Sequence, residues 1–169
     1  MPIPLPIETE RLLVRPFAPE PDARAMAEIY CDPEVMRFIP GGALPDVAAV
    51  VALLETYVDA QRDRGFSSWA VVERATGLLV GDAGFGVFEA TGDVELGYTV
   101  VRSRWGRGYA TEAAEACLRA GLAHLHAPRI VAVVDAENDA SMRVAERIGM
   151  ERVETIEAHG RRHVLFASR

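Results

Sequence analysis

Cysteine and positive charge are both scarce in this chain, and each shortage excludes a class of protein. The 169 residues include two cysteines, with no CxxC pair and no Cys/His spacing that suits zinc, so we expect neither a disulfide framework nor a metal site. Eighteen basic residues stand against 25 acidic ones, which gives a net charge of −7 and argues against a nucleic-acid partner. This balance still allows a local basic pocket for a small anion.

Long apolar runs are absent as well. No stretch of the sequence approaches the roughly 18 residues that a membrane-spanning helix needs. The chain starts with Met-Pro-Ile-Pro-Leu-Pro, which lacks the basic stretch and the apolar segment of a signal peptide, so we expect a cytoplasmic protein with no membrane partner. Half of the residues are apolar and a quarter are charged, and at this length the composition predicts one folded domain over residues 1–169.

The spacing of apolar residues predicts a mixed α/β fold with seven strands and four helices. Strands are predicted at residues 10–15, 68–73, 78–87, 93–101, 129–135, 152–157 and 162–167, and helices at 21–30, from Asp46 to Gly65, at 109–125 and at 139–148. The three strands between residues 68 and 101 are expected to form an antiparallel meander. The strand at 129–135 is almost entirely apolar, which is typical of the middle of a sheet.

Residues 100–112 carry the strongest functional signal. They lead from a strand into a helix, whose first N–H groups lack partners and carry a partial positive charge. Gly106 and Gly108 bring no side chains that would keep a ligand from these amides. Three arginines add positive charge beside them: Arg102, Arg104 and Arg107. The segment therefore predicts a phosphate or pyrophosphate site, with a plain strand-to-helix turn as the alternative.

Two familiar phosphate-binding loops do not fit this segment. No Lys-Ser/Thr pair follows Gly108, so it is not a Walker A loop, and Thr111 stands where a dinucleotide-binding loop has its third glycine. Residues 105–113, Trp-Gly-Arg-Gly-Tyr-Ala-Thr-Glu-Ala, preceded by Glu-Leu-Gly-Tyr at 95–98, instead resemble the acyl-CoA motif of the GNAT superfamily of N-acetyltransferases.

The resemblance spans nearly the whole chain and is closest to the branch that contains the ribosomal-protein N-terminal acetyltransferases. Thr-Glu-Arg-Leu at 9–12 resembles the opening strand of that branch, Asp-Pro-Glu-Val-Met at 32–36 its substrate-side loop, and Asn-Asp-Ala-Ser-Met-Arg-Val at 138–144 its second CoA motif. It implies a mixed, mostly antiparallel seven-stranded sheet that is flanked by about four helices and splayed at its central parallel strand pair.

The resemblance also implies an activity. That activity is the transfer of an acetyl group from acetyl-CoA to a primary amine, by direct attack in a ternary complex and without a metal. The expected acceptor is the N-terminal amine of a peptide or protein. Two alternatives stay open: the same chemistry on a small amine such as an amino acid, a polyamine or an antibiotic, and a non-catalytic acyl-CoA-binding module. Relatives of this kind often pair as homodimers.

Cofactor-binding roles follow from the same resemblance. The main-chain amides of six consecutive residues would hold the pyrophosphate: Gly106, Arg107, Gly108, Tyr109, Ala110 and Thr111. Arg102 adds positive charge nearby, and Val100 would pair its main chain with the pantetheine arm as an added strand does. Asn138 would hydrogen-bond the cofactor arm, and Ser141 would face the thiol.

Amine attack on a thioester needs a neutral nucleophile and a proton for the departing thiolate. Many relatives carry a tyrosine seven residues after the asparagine, and here that position is Ala145. We expect Ser141 to be the local substitute, with an ordinary helix-start serine as the alternative. Glu95 is expected to take the proton of the amine, directly or through water, and the alternative is a structural carboxylate that pairs with an arginine.

Other polar and aromatic residues receive simpler interpretations. Glu112, in the first turn of the predicted helix, is expected to act on the helix dipole or as a cap rather than in catalysis. His159 and His163 are expected in a surface turn, with the wall of a substrate channel as the alternative. Four residues are expected to border the acceptor site: Asp32, Glu34, Phe38 and Ile39.

Overall fold

The computed structural model describes residues 2–169, and it contains every predicted helix and strand in the predicted order. The ends differ from the predicted ones by no more than two residues. The helices are α1 (Pro19–Tyr30), α2 (Val47–Arg64), α3 (Tyr109–His124) and α4 (Asp139–Arg147). The strands are β1 (Ile7–Glu8), β2 (Leu12–Arg15), β3 (Ser68–Glu73), β4 (Leu79–Phe88), β5 (Asp93–Val100), β6 (Ile130–Asp135), β7 (Glu151–Ala158) and β8 (Arg161–Ala167).

The predicted number of strands was wrong by one, because the sheet formed by residues 2–169 has eight strands rather than seven. The additional strand is β1, which has two residues and pairs with β2 through Ile7 opposite Val14. Two residues cannot display the alternation that marks a strand. β1 therefore forms through its pairing with β2 and not through a pattern of its own.

Local sequence explains where α2 begins and ends and where α4 begins. Asp46 caps α2 by accepting a hydrogen bond from the Ala49 amide at 2.9 Å, and Gly65 ends this helix with a left-handed φ of +79°. Asn138 caps α4 by accepting a hydrogen bond from the Ser141 amide at 3.1 Å. These two caps therefore fix the residues at which α2 and α4 begin.

The sheet has the order β1-β2-β3-β4-β5-β6-β8-β7 and is antiparallel except between β5 and β6. β3, β4 and β5 form the predicted meander. The parallel pairing of β5 with β6 ends after Val94 opposite Ile130 and Glu95 opposite Val131, although both strands continue. Beyond Glu95 the two strands separate, and we call this opening the fork.

Helices cover both faces of the sheet beside the fork. α3 packs on β4 and β5, where Ala113, Ala114 and Cys117 join the main core. α1 packs against β4 and α2 packs against α1, and the two helices form a second core around Met26 and Leu54. No helix in the described part of the chain is both long and apolar enough to cross a bilayer. The two helical layers leave the fork open between them.

Candidate functional site

Two cavities meet at the fork. One, of about 560 Å³, lies between the segment 100–111 and α4, and we call it the α3 cavity because it opens at the start of α3. The other, of about 380 Å³, lies on β4 and β5, and we call it the β4 cavity. Both cavities share six lining residues: Phe38, Ile39, Tyr98, Thr99, Asn138 and Ser141. Two molecules that enter from opposite sides can therefore come into contact at this shared wall.

The α3 cavity is built around the predicted phosphate loop. Gly106 and Gly108 have left-handed φ angles of +73° and +79°, which few other residues adopt without strain. Gly108 is the N-cap of α3, so the free amides of the first helical turn follow it directly. The predicted cofactor-binding residues that line this cavity are Val100, Gly106, Gly108, Tyr109, Ala110, Thr111, Asn138 and Ser141.

Arg102 and Arg107, the other two predicted cofactor-binding residues, are outside the lining of the α3 cavity. The guanidinium of Arg102 forms a bidentate ion pair with Asp32, with an Nη2–Oδ1 distance of 2.6 Å. Arg107 contributes its carbonyl oxygen, which accepts a hydrogen bond from Arg11 Nη1 at 2.8 Å. A cofactor role for the two side chains stays a prediction, whereas their observed contacts fix the loop to neighbouring segments.

Positive charge in the α3 cavity comes mainly from α4. Arg143 and Arg147, four residues apart on this helix, line the cavity together with Arg104. The sequence pattern of the loop does not single out the two α4 arginines. Both belong to the helix that begins with the segment 138–144, and their spacing of four residues is the signal that could have found them, since it places both side chains on one face.

The start of α3 is fixed by two carboxylates, the half-buried Glu112 and the buried Glu73. Glu112 accepts hydrogen bonds from Thr9 Oγ1 at 2.6 Å and from the Arg11 amide at 2.9 Å, so it connects α3 to the turn between β1 and β2 instead of capping its own helix. The Tyr109 hydroxyl donates to Glu73 Oε1 at 2.5 Å. Hydrogen bonds from Thr76, Tyr109 and Arg104 lower the pKa of Glu73 to about 2. The Tyr109 side chain is thus part of the core.

Val100 contacts the same loop through its main chain. Trp105 Nε1 donates a hydrogen bond to the Val100 carbonyl at 2.7 Å, and both residues line the α3 cavity. A carbonyl oxygen has two lone pairs, so Val100 can still accept a second hydrogen bond. The role of Trp105 is to hold the glycine loop against the end of β5, which the sequence motif alone did not reveal.

Glu95 lies at the base of the fork, on the last rung of the β5–β6 pairing, and its side chain lines the β4 cavity. Burial raises the pKa of Glu95 to about 7, and a hydrogen bond from the Val133 amide opposes this shift. In residues 2–169 Glu95 forms no ion pair with an arginine, which was the structural alternative for this residue. A carboxyl group with this pKa exchanges protons near neutral pH.

Ser141 contacts Tyr98 at the wall that the two cavities share. Ser141 Oγ donates a hydrogen bond to the Tyr98 hydroxyl at 3.1 Å, and that hydroxyl donates to the Ser141 carbonyl at 2.9 Å. Burial raises the pKa of Tyr98 to about 12, so its hydroxyl stays protonated. Ala145 is completely buried in the core. The tyrosine hydroxyl near the serine therefore comes from β5, and the sequence motif gave no reason to expect this pairing.

The turn between β7 and β8 forms part of the β4 cavity. His159 and His163 line it, with ring centroids 5.8 Å apart, and His163 is 3% exposed. The expectation of a surface turn is therefore confirmed for His159, which is exposed in this turn, and wrong for His163, which is buried in β8. Both residues also line a cavity, which was the alternative interpretation. Among the residues expected to border the acceptor site, Phe38 and Ile39 line both cavities, while Asp32 binds Arg102 outside them.

Comparison with known proteins identifies the family. The acetyltransferase (GNAT) domain matches residues 11–151. The Bacillus subtilis protein YkkB is 33% identical over 150 residues, which are 88% of this chain and 86% of YkkB. A solved GNAT-family acetyltransferase from Bacillus anthracis is 29% identical, with a TM-score of 0.84 over 97% of this chain and 98% of that one.

A second solved structure shows the same fold at low identity. The ribosomal L7/L12 alpha-N-protein acetyltransferase RimL, solved in complex with coenzyme A, has a TM-score of 0.83 over 97% of both chains and is 14% identical. At this identity the likeness concerns the fold alone. The domain match, in contrast, spans well over half of this sequence. The chain therefore belongs to the GNAT family of N-acetyltransferases.

Proposed function

We propose that this acetyltransferase moves the acetyl group of acetyl-CoA to the N-terminal amine of a peptide or protein, by direct attack in a ternary complex. The observation that carries the proposal is the meeting of the two cavities at the fork. One cavity has bare helix-start amides for a diphosphate, and the other has a carboxyl group with a pKa of about 7. The coenzyme A that RimL holds in the same fold supports this choice of donor.

The α3 cavity fits acetyl-CoA chemically. Main-chain amides at the start of α3 and the α4 arginines Arg143 and Arg147 provide donors and positive charge for the pyrophosphate. The edge of β5 beyond Glu95 has no pairing with β6, so its main-chain groups are available to an extended pantetheine arm. Asn138 and Ser141 follow along the same wall toward the fork.

The side chains at the fork divide the proton transfers between them. Glu95 removes a proton from the ammonium form of the acceptor, and the neutral nitrogen then attacks the thioester carbonyl carbon. As the C–S bond breaks, the thiolate leaves and takes a proton from the Ser141 hydroxyl. Tyr98 remains protonated and holds Ser141 through two hydrogen bonds. The nitrogen loses its second proton as the amide forms, and this proton returns to the Ser141 oxygen, while the proton held by Glu95 passes to solvent.

A small amine is the second candidate acceptor. The volume of the β4 cavity, about 380 Å³, lies in the range of small-molecule sites. A peptide N-terminus would place its first residue in the same space and leave the rest of its chain outside.

Thiol release from acetyl-CoA, measured with a panel of amines, tests the proposal. We expect acceleration by peptides with a free N-terminus and none by the same peptides with a blocked N-terminus. The chain contains no lysine, so its own side chains offer no primary amine to the assay. If acetyl-CoA binds but no amine in the panel accelerates thiol release, the chain is an acyl-CoA-binding module and the proposed reaction is wrong.

Removing the Ser141 hydroxyl should slow turnover far more than it weakens cofactor binding. For Ser141→Ala we expect kcat to fall about 100-fold, the lower end of typical general-acid effects, with the Kd for acetyl-CoA changed less than about threefold. Tyr98→Phe should cause a smaller loss, because it removes the partner of Ser141 and leaves the proton donor. Steady-state kinetics and calorimetric titration with acetyl-CoA give the two quantities.

Ser103→Ala is the matched control for this prediction. Ser103 is exposed and lies outside the lining of both cavities, so its substitution should leave kcat unchanged. A normal kcat in the Ser141→Ala enzyme would remove Ser141 from the mechanism and return it to the role of an ordinary helix-start serine.

A further inference from the structure

The β4 cavity contains two histidines that the proposed mechanism does not use. His163, on β8, and His159, in the turn that precedes this strand, both line the cavity. His163 is buried and His159 is exposed, and their ring centroids lie 5.8 Å apart. The two imidazole rings therefore connect the interior of the cavity with the surface of the protein.

A hydrogen bond of His163 shows which of its ring nitrogens is free. Nδ1 lies 3.0 Å from the Arg161 carbonyl, and because a carbonyl oxygen only accepts, Nδ1 carries the hydrogen. In a neutral imidazole the other nitrogen, Nε2, is then a proton acceptor. Within residues 2–169 Nε2 forms no hydrogen bond. This buried ring can therefore take up a proton from inside the cavity.

The strand register places His163 on the same face of the sheet as Glu95. Glu95 is opposite Val131 on β6, and His163 is opposite Asp135 on the same strand, so alternate positions of β6 connect the two side chains. The Glu95 carboxylate accepts a hydrogen bond from the Val133 amide. Strand geometry puts the Cα atoms of Val133 and His163 about 8 Å apart. One water molecule can bridge the space that remains between the carboxylate and the ring.

The surroundings of His163 stabilise a transient positive charge on its ring. The titratable and charged side chains around it come from β5, β6, the β7–β8 turn, β8 and the segments before α4 and α2: Glu95, Asp135, His159, Arg161, Glu137 and Arg37. Asp135 is buried directly opposite His163, and Arg161 is shared between Asp135 and Glu137. Arg37 is exposed, so solvent screens its charge. Negative charge therefore predominates beside the ring.

The backbone of His159 has a conformation that a histidine rarely adopts. His159 and Gly160 form the two-residue turn between β7 and β8, and the φ of His159 is +52°. Asparagine, aspartate or glycine is the usual first residue of such a turn. Left-handed backbone at other residues is strained, and residues in this state cluster at functional sites. The placement of a histidine here indicates a role for the imidazole ring itself.

We propose that His163 and His159 form a proton relay from Glu95 to solvent. The inference rests on the proposed function, because it gives the route of the proton that Glu95 takes from the amine. The Glu95 carboxyl group passes this proton through one water to Nε2 of His163, so the carboxylate is restored and the ring becomes an imidazolium ion. His163 then passes the proton to His159 and becomes neutral again, and His159 releases the proton to solvent. Imidazole both accepts and donates protons near neutral pH.

Two asparagine variants test the relay with a peptide acceptor. The side chain in His163→Asn can still donate to the Arg161 carbonyl but carries no proton, and His159→Asn gives the turn a residue that favours a left-handed φ. We expect kcat to fall about 10-fold in each variant, less than for loss of a general base because water still carries some protons. KM for the peptide should change less than about twofold. His126→Asn, in the exposed loop after α3, is the matched control and should keep the wild-type kcat.

A diffusible proton carrier distinguishes a relay from a structural role. Rising concentrations of imidazole should restore the kcat of both variants toward the wild-type value and leave the wild-type kcat unchanged. The acetylated peptide is measured by mass spectrometry against a blank without enzyme, and thermal melts show which variants are folded. A wild-type kcat in the folded variants, or a loss that imidazole does not restore, overturns the proposal.

The His159→Asn variant decides the test if His163→Asn does not fold. Because asparagine suits this turn, the melting temperature of His159→Asn should be no lower than that of the wild type. Failure of every amine to accelerate thiol release in the wild-type enzyme, with acetyl-CoA still bound, is a different result and contradicts the proposed function itself.

Discussion

Replacing Gly108 with glutamate should abolish tight acetyl-CoA binding while the chain stays folded. Gly108 has a φ of +79° and directly precedes the free amides of α3. A side chain at this position meets one atom within 4 Å, Arg11 Nη2 at 3.4 Å from the new Cβ, so there is room for it. The left-handed backbone costs a non-glycine residue about 1–2 kcal/mol, which a folded domain tolerates.

The expected loss of affinity for acetyl-CoA follows from the negative charge of the new glutamate side chain. The new carboxylate would lie where the diphosphate is expected, and it would compete for Arg11, which binds the loop through the Arg107 carbonyl. Loss of two charge-assisted hydrogen bonds, at about 1.5–3 kcal/mol each, raises the Kd for acetyl-CoA about 100-fold or more. Calorimetric titration with acetyl-CoA measures the change, and a thermal melt confirms that the variant is folded.

Gly77→Glu is the matched control for this variant. Gly77 also has a left-handed φ, +72°, and an added Cβ there meets no atom within 4 Å. It lies in the turn between β3 and β4, outside the lining of both cavities. This substitution adds the same backbone strain and the same charge, so the affinity for acetyl-CoA should not change. An unchanged affinity in Gly108→Glu itself would mean that the diphosphate does not bind at the start of α3.

The fold was predictable because its elements carry local signals. Strand alternation and helical spacing extend over six or more residues in most elements, and Asp46 and Gly65 mark both ends of α2. β1 has two residues and no such signal, so it was missed. Periodicity alone could not predict the fork, because the end of pairing after Glu95 depends on how β5 and β6, which are distant in sequence, are held relative to each other. The family resemblance supplied that feature.

The contacts of the site were harder to predict than its position. Glycines 106 and 108 identify the phosphate loop locally, but the partners of its arginines are distant in sequence: Asp32 for Arg102 and Glu73 for Arg104. From the local sequence alone, all three loop arginines are predicted to lie at the phosphate site. In the structure, two of them, Arg102 and Arg104, form ion pairs with residues that are distant in sequence. Tyr98 and Ser141 are likewise 43 residues apart.

Replacing Glu95 with glutamine should lower kcat/KM at pH 8 by about 100-fold or more, the typical loss when a general base is removed. Burial raises the pKa of Glu95 to about 7, and the carboxylate is the active form. Wild-type activity should therefore fall about tenfold for each pH unit below 7. The acceptor amine also titrates, but equally in both enzymes, so the ratio of wild-type to variant kcat/KM isolates Glu95. This ratio should rise up to about pH 7 and level off above it.

The melting temperature distinguishes this expected loss of activity from unfolding of the Glu95→Gln variant. Because the folded-state pKa of Glu95 is raised, the charged form costs folding free energy at pH 8, and the cost vanishes as the pH falls through 7 toward the unfolded value near 4.5. The neutral glutamine lacks this cost, so the melting temperature of Glu95→Gln at pH 8 should be no lower than that of the wild type. The control variant Glu115→Gln, on the exposed face of α3, should change neither kcat/KM nor the melting temperature. A ratio of activities that is flat with pH would show that another group removes the proton of the amine.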